Sequence, residues 1–126
     1  MHINSVLIVD ADKNNCAVSE MTLDSEFDVY VAQPGSDCLL VAECEQPDLI
    51  LLDVKMPGTD GQATLIKLRA NRLTAGIPVI LMSPAECRTD ELFRRRYQKL
   101  DIIGFIQKPF ARQELAAQIR KLAAAR

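Results

Sequence analysis

The stretch from residue 47 to residue 61 reads PDLILLDVKMPGTDG and contains the pattern that decides the fold. Its short apolar run, Leu49 to Leu52, is followed at once by Asp53, which is typical of a strand that is buried on both faces and ends at a polar edge. Pro57-Gly58 then predicts a turn. We therefore expect a buried strand whose carboxyl end presents Asp53.

Similar apolar runs recur along the chain, and segments with helical spacing separate them. Leu115, Ile119 and Leu122 show this spacing near the end of the chain, as do Phe93, Tyr97 and Leu100. Because each right-handed crossover lays its helix against one face of a sheet, the alternation predicts an α/β fold. We expect a single doubly wound parallel sheet with five strands and five helices. The other predicted strands are Val6 to Val9, Phe27 to Ala32, Val79 to Met82 and Ile102 to Ile106.

Composition limits the kinds of partner and the location. The chain has 126 residues, of which 48% are hydrophobic, enough for one compact domain with its own core. Fifteen basic and 17 acidic side chains give a net charge of -2, which predicts no direct binding to nucleic acid or to a membrane surface. We find no export-type segment and no run of bilayer-spanning length, so we expect a cytoplasmic protein.

The cysteines do not form a recognisable metal-binding or redox motif. Cys16, Cys38, Cys44 and Cys87 contain no C-x-x-C pair, and His2 is too remote to complete a zinc spacing. We predict reduced thiols that are mostly buried.

Polar residues end several of the apolar runs. In an open parallel sheet the functional crevice lies outside the carboxyl ends of the strands, so these residues are expected to converge there. A carboxylate cluster repels itself unless a cation neutralises it, and hard oxygen ligands suit Mg²⁺. The same groups suit phosphoryl transfer, with an aspartate as nucleophile and a lysine and a hydroxyl as partners of the phosphoryl oxygens. The residues are Asp10-Ala11-Asp12, Asp53, Ser83 and Lys108.

Over nearly its whole length the chain resembles a receiver domain of the bacterial response-regulator family. The resemblance implies one receiver domain over residues 1–126, with any output domain beyond Arg126. It also implies a flavodoxin-like sheet with the strand order 2-1-3-4-5. The matching stretches are VLIVD at residues 6–10, PDLILLDVKMPGTDG at residues 47–61, PVILMS at residues 78–83 and GFIQKPF at residues 104–110.

The resemblance assigns a role to each residue of the site. Asp53 is expected to accept the phosphoryl group, Ser83 to be the switch hydroxyl and Lys108 to pair with the phosphoryl group. Phe105 is expected to be the switch aromatic, and the peptide before Pro109 to be cis. The expected Mg²⁺ ligands are Asp10, Asp53 and the backbone carbonyl of Lys55. Asp12 stays open, because it either bends back to the metal or caps the first helix.

Three residues depart from the family pattern. Ala11 stands where a second acid normally touches the metal, and a methyl group cannot coordinate Mg²⁺. Lys55 brings an ammonium to the pocket mouth, and Pro84 removes a backbone donor next to Ser83. We therefore hypothesise weakened Mg²⁺ binding and slow or absent phosphorylation.

The segment from Ser83 to Lys108 is about one helical turn longer than expected. Its arginines at residues 94–96 form either a solvated helix face or a partner site.

The expected function is a phosphorylation-controlled receiver that changes its binding surface and is not itself an enzyme. The expected partners are a histidine kinase or phosphotransfer protein and a downstream protein or output domain. The last helices and strand are a candidate homodimer surface.

Two alternatives remain open. In the first, the chain is a pseudo-receiver, which has the same fold but acts as a constitutive interaction module. Ala11 favours this hypothesis. A phosphatase of the haloacid-dehalogenase type would use Asp10 as nucleophile and Asp12 as acid-base residue, with Ser83 and Lys108 in supporting roles. That alternative leaves the stretch from Asp53 to Gly61 unexplained.

Overall fold

The computed structural model describes residues 2–10, 20, 23–34, 36–53, 59–84, 91, 95, 97, 100–108 and 112–125. In chain order the described elements are β1 (Ser5–Val9), β2 (Asp28–Ala32), α1 (Ser36–Glu45), β3 (Leu49–Asp53), α2 (Thr59–Ala70), β4 (Val79–Pro84), β5 (Gly104–Lys108) and α3 (Arg112–Ala124). Within these residues no helix is long and apolar enough to cross a membrane.

The described strands form one five-stranded parallel sheet in the order β2-β1-β3-β4-β5, so the predicted fold class and strand order are confirmed. Of the five predicted helices, α1, α2 and α3 lie within the described residues. Glu91, Arg95 and Tyr97 are also helical, in the segment between β4 and β5. Arg95 is exposed and forms an ion pair with Glu91 at 2.9 Å, which is typical of a solvated helix face. Arg94 and Arg96 lie outside the described residues.

Alternation along the strands divides the core into two layers, one on each face of the sheet. In β3, Ile50 and Leu52 belong to the first layer, which packs against α1, α2 and Tyr97. Leu49 and Leu51 belong to the second layer, which packs against α3, Leu23 and Phe27. Because both faces of β3 are covered, its run of apolar side chains is fully buried, as predicted.

The last strand begins two residues later than predicted. We expected a strand at Ile102 to Ile106, but β5 spans Gly104–Lys108. Asp101 has a positive φ of 57° and forms part of a turn, which prevents an earlier start. Ile102 and Ile103 are half-buried and pack against the first and second layers respectively. The backbone amide of Ile103 already donates to the carbonyl oxygen of Val79 in β4 at 2.9 Å, so the apolar run leads directly into the strand.

The prediction of mostly buried thiols is confirmed for Cys38 and wrong for Cys44. Both lie on α1, but Cys38 faces the first core layer while Cys44 faces solvent. Cys16 and Cys87 lie outside the described residues.

Burial, with a smaller contribution from the charge of Asp37, raises the pKa of the Cys38 thiol to about 12. Since the thiolate is the reactive form, we expect iodoacetamide at pH 8 to alkylate Cys44 in the native protein while sparing Cys38. In denaturant, both cysteines should react. Peptide mapping by mass spectrometry measures this difference, and equal labelling rates in the native state would contradict it. Because the folded-state pKa is raised, the neutral Cys38 thiol contributes stability below the unfolded-state pKa of about 8.5, and this is lost as pH rises toward 12.

Candidate functional site

Asp53 is the last residue of β3 and pairs with Met82 of β4. Its position follows directly from the apolar run before it, because burial of Leu49 to Leu52 on both faces of the sheet fixes where the strand lies. Asp53 itself is only 5% exposed. A carboxylate is therefore held at the carboxyl edge of the sheet by a strand that packing makes rigid.

Asp10 lies beside Asp53 at the same edge. Val9 pairs with Leu52 in the parallel register of β1 and β3. Asp10 directly follows Val9, and Asp53 directly follows Leu52, so the two aspartates come at the same level of the sheet. Neighbouring strands lie about 4.8 Å apart. The backbone amide of Asp10 donates to the carbonyl oxygen of Ala32 at 3.3 Å, which ties this position to β2, and Asp10 is 3% exposed. The predicted pairing of two acids at the strand ends is therefore present.

Ser83 and Phe105 lie on β4 and β5, which follow β3 in the sheet on the side away from Asp10. Ser83 is 4% exposed and follows Met82, the residue that pairs with Asp53. Phe105 pairs with Leu81 and is half-buried against the first core layer. Alternation along β4 places Ser83 on the same face of the sheet as Leu81. The predicted switch residues therefore share one face.

Lys108 is the last residue of β5 and pairs with Pro84. Its backbone thus stands at the carboxyl edge with the ends of β1, β3 and β4, as predicted from sequence. The strand β4 continues through Pro84, so this proline is part of the edge rather than of the loop that follows. Pro109 and Ala11 lie outside the described residues, as do the predicted ligands Asp12 and Lys55.

The donor set fits a small divalent cation. Asp10 and Asp53 place carboxylate oxygens on neighbouring strand ends, where burial makes uncompensated negative charge unfavourable. Mg²⁺ prefers oxygen ligands and is commonly held by one or two carboxylates together with water and phosphate oxygens. Among the described residues no group of three or more acidic, histidine or cysteine side chains forms a metal cluster. The two carboxylates therefore fit part of a magnesium site, which other ligands would complete.

Asp48 supports this arrangement from the opposite end of β3, and sequence reasoning assigned it no role. Its Oδ2 atom accepts hydrogen bonds from the backbone amides of Asn4 and Ser5, at 2.9 and 3.1 Å. The backbone amide of Asp48 also donates to the Ser5 hydroxyl at 3.0 Å. These bonds hold the register of β1 against β3, and that register places Asp10 next to Asp53. No local spacing signals a contact between residues 43 positions apart.

Comparison with known proteins agrees with this geometry. The family model described as response regulator receiver domain matches residues 6–120. A response regulator from Desulfuromonas acetoxidans is 27% identical, with a TM-score of 0.75 over 97% of this chain and 98% of that chain. The receiver domain of a signal transduction histidine kinase from Syntrophus aciditrophicus is 25% identical, with a TM-score of 0.77 over 97% and 91%.

The chemotaxis response regulator CheY4 of Vibrio cholerae has the same fold, with a TM-score of 0.80 at 23% identity over 96% of this chain and 99% of that chain. The family match covers most of the chain and includes Asp10, Asp53, Ser83 and Lys108. By this match, and in agreement with its strand order, the chain belongs to the response regulator receiver domain family.

Proposed function

We propose that this domain accepts a phosphoryl group on Asp53 within a two-component or phosphorelay system and thereby switches a protein-binding surface. The observation that carries the proposal is the placement of Asp53 beside Asp10 at the sheet edge, both buried, with Ser83 on the next strand. Family membership supports it, and so does similarity to a receiver from a histidine kinase, a class of protein that transfers phosphoryl groups.

In the proposed reaction a carboxylate oxygen of Asp53 attacks the phosphorus of the donor. A new P–O bond forms, and the P–N bond to a donor histidine breaks, with the electron pair and a proton going to the departing imidazole. A bound Mg²⁺ would neutralise negative charge shared by the two aspartates and the phosphoryl oxygens. The Ser83 hydroxyl is expected to donate a hydrogen bond to a phosphoryl oxygen, and the Lys108 ammonium to pair with the same group.

The family-typical output would be a change around Phe105. In the proposed switch, Ser83 moves toward the phosphoryl group and leaves space on the first-layer face of the sheet, into which Phe105 turns. A downstream protein or an output domain would bind the altered surface. We expect no sustained turnover of phosphomonoesters, because the acyl phosphate on Asp53 is the end point of the transfer rather than an intermediate of an enzyme cycle.

Magnesium dependence tests both the function and the effect of Ala11. Protein incubated with acetyl phosphate should gain the mass of one phosphoryl group only when Mg²⁺ is present. Because a methyl group supplies no ligand, the variant Ala11→Asp should reach half-maximal phosphorylation at a Mg²⁺ concentration about tenfold lower than the native chain. Intact-mass spectrometry across a series of Mg²⁺ concentrations measures the phosphoryl gain of the native chain and of the variant.

Separate outcomes test the phosphoacceptor role and the effect of Ala11. If the native chain gains no phosphoryl group at any Mg²⁺ concentration, the pseudo-receiver alternative is favoured, and a constitutive interaction role follows. If the Ala11→Asp variant has the same magnesium dependence as the native chain, position 11 is not a ligand position. Release of phosphate from a generic phosphomonoester would instead favour the dehalogenase-type alternative.

A further inference from the structure

Pro84 is the last residue of β4 and directly follows Ser83, the expected switch hydroxyl. Its backbone pairs with Lys108 of β5, so it stands at the carboxyl edge of the sheet. On its other side β4 lies beside β3, the strand that ends in Asp53. Proline has no hydrogen on its backbone nitrogen and therefore cannot donate a hydrogen bond from it. The direction in which this nitrogen faces decides whether the missing donor matters to the site.

Two hydrogen bonds at the start of β4 show which way its backbone groups face. The amide of Ile50 in β3 donates to the carbonyl oxygen of Pro78 at 2.9 Å. The amide of Ile103 donates to the carbonyl oxygen of Val79, the next residue, at 2.9 Å. In a parallel strand the N–H and C=O groups of one residue face the same neighbouring strand, and those of the next residue face the opposite one. Even-numbered residues of β4 therefore face β3, and odd-numbered residues face β5.

This alternation directs the nitrogen of residue 84 to the side of Asp53. The register between β4 and β5 runs without interruption through Pro84, so the alternation holds to the end of the strand. Met82 faces β3 and pairs with Asp53, and residue 84 faces the same way two residues further on. At a rise of about 3.3 Å per residue, position 84 lies beyond the end of β3, where a phosphoryl group on Asp53 would extend from the sheet. Any other amino acid would direct an amide donor into that space.

The neighbouring backbone amides do not replace this donor. The amide of Ser83 belongs to an odd-numbered residue, so it faces β5 rather than β3. The amide of Asp10, on the other side of Asp53, donates to the carbonyl oxygen of Ala32 at 3.3 Å. Among the described residues at the ends of β1 and β4, no backbone amide is therefore directed to the space in front of Asp53.

We propose that Pro84 limits the affinity of this site for a phosphoryl group and thereby makes Asp53 slow to be phosphorylated. Phosphoryl oxygens are anionic, and a hydrogen bond from an amide to such an oxygen is stronger than one between neutral groups. The missing donor acts on the phosphoryl oxygens and not on the metal, so its effect is separate from that of Ala11. The inference rests on the proposed function, because it takes Asp53 as the acceptor.

Binding of beryllofluoride tests the proposal without a transfer step, because this probe binds a carboxylate in the shape of a phosphoryl group. The variant Pro84→Ala restores the backbone amide. In saturating Mg²⁺ it should bind beryllofluoride about tenfold more tightly than the native chain does. Titration followed by fluorine NMR measures both dissociation constants. The rate of phosphorylation by acetyl phosphate should rise by a similar factor, measured by intact-mass spectrometry.

Pro78→Ala is the matched control, because it makes the same chemical change at the other end of β4. Pro78 also faces β3, but it lies before Val79, at the edge of the sheet opposite to Asp53. Both substitutions remove the restraint of a proline ring and add an amide, so only the position differs. The control should bind beryllofluoride with the native affinity. Circular dichroism checks that both variants are folded.

The nitrogen-15 NMR spectrum of the Pro84→Ala variant distinguishes a new hydrogen bond from a less restrained strand. The proton signal of the amide at position 84 should move downfield when beryllofluoride binds, because the amide then donates to an electronegative fluorine. A gain in affinity that came only from freeing the backbone would leave this signal in place.

The outcomes separate the inference from the proposed function. Measurable and equal affinities of the native chain and the Pro84→Ala variant would overturn the role of Pro84 and leave Asp53 as the acceptor. An amide signal at position 84 that does not move on binding would overturn it as well. If neither chain binds beryllofluoride or gains a phosphoryl group, the proposed function is wrong, and the role of Pro84 is wrong with it.

Discussion

Replacement of Asp53 with asparagine is expected to abolish incorporation of a phosphoryl group from acetyl phosphate. The substitution keeps the size and shape of a residue that is 5% exposed, so the packing of β3 should be retained. The amide, however, lacks the anionic oxygen that attacks phosphorus, and it cannot form a stable acyl phosphate. We expect a decrease of at least about a thousandfold in the phosphorylation rate, measured by intact-mass spectrometry at saturating Mg²⁺.

The matched control is Asp48→Asn, the same chemical change at the other end of β3. The side-chain oxygen of asparagine can still accept the hydrogen bonds from the amides of Asn4 and Ser5, so the register of β1 against β3 should be preserved. Phosphorylation of this variant should stay near the native rate. If Asp53→Asn still gains one phosphoryl group, the acceptor is another residue, and the proposed role of Asp53 is wrong.

Replacement of Arg69 with alanine is expected to cause the largest loss of stability among single surface-facing residues of α2. The guanidinium donates to the carbonyl oxygens of Ala75 at 3.0 Å and Ile77 at 2.8 Å, which lie before β4. It also donates to Leu100 at 2.8 Å and Asp101 at 3.1 Å, in the turn before β5. One side chain therefore joins the end of α2 to the entry of two strands.

Hydrogen bonds from a charged donor contribute more than neutral ones, and truncation leaves four carbonyls, three of them in partly buried contacts, without that donor. We expect the free energy of unfolding to fall by about 3 kcal/mol for Arg69→Ala. The loss should be smaller for Arg69→Lys, because an ammonium cannot reach all of the same acceptors. Urea unfolding followed by circular dichroism gives these values. The comparison requires that the slope of unfolding free energy against urea concentration is the same in the native chain and the variants.

Arg72→Ala is the control for this prediction. Arg72 lies three residues further on and is exposed, so its loss should change the free energy of unfolding by less than about 0.5 kcal/mol. Equal stabilities of the Arg69→Ala and Arg72→Ala variants would show that the carbonyl contacts contribute little net stabilisation.

The strand-level prediction succeeded where burial alone determines structure and failed where a turn intervened. Leu49 to Leu52 have side chains on both covered faces, so an unbroken apolar run is sufficient to identify β3. Ile102 and Ile103 are equally apolar, yet they precede β5. The positive φ of Asp101 and the Arg69 hydrogen bonds hold a turn there, and neither is visible as an apolar pattern.

The sequence by itself determined the α/β class and the polar residues at or next to the strand ends, which are Asp10, Asp53, Ser83 and Lys108. Both follow from local patterns, because the apolar runs specify strands and parallel strands share one carboxyl edge. Only the tertiary structure decided which distant groups contact one another. The hydrogen bonds between Ser5 and Asp48 and the carbonyl contacts of Arg69 depend on how elements far apart in the chain pack together. Periodicity reports which side of a helix or strand is apolar, but it does not report which neighbour covers that side.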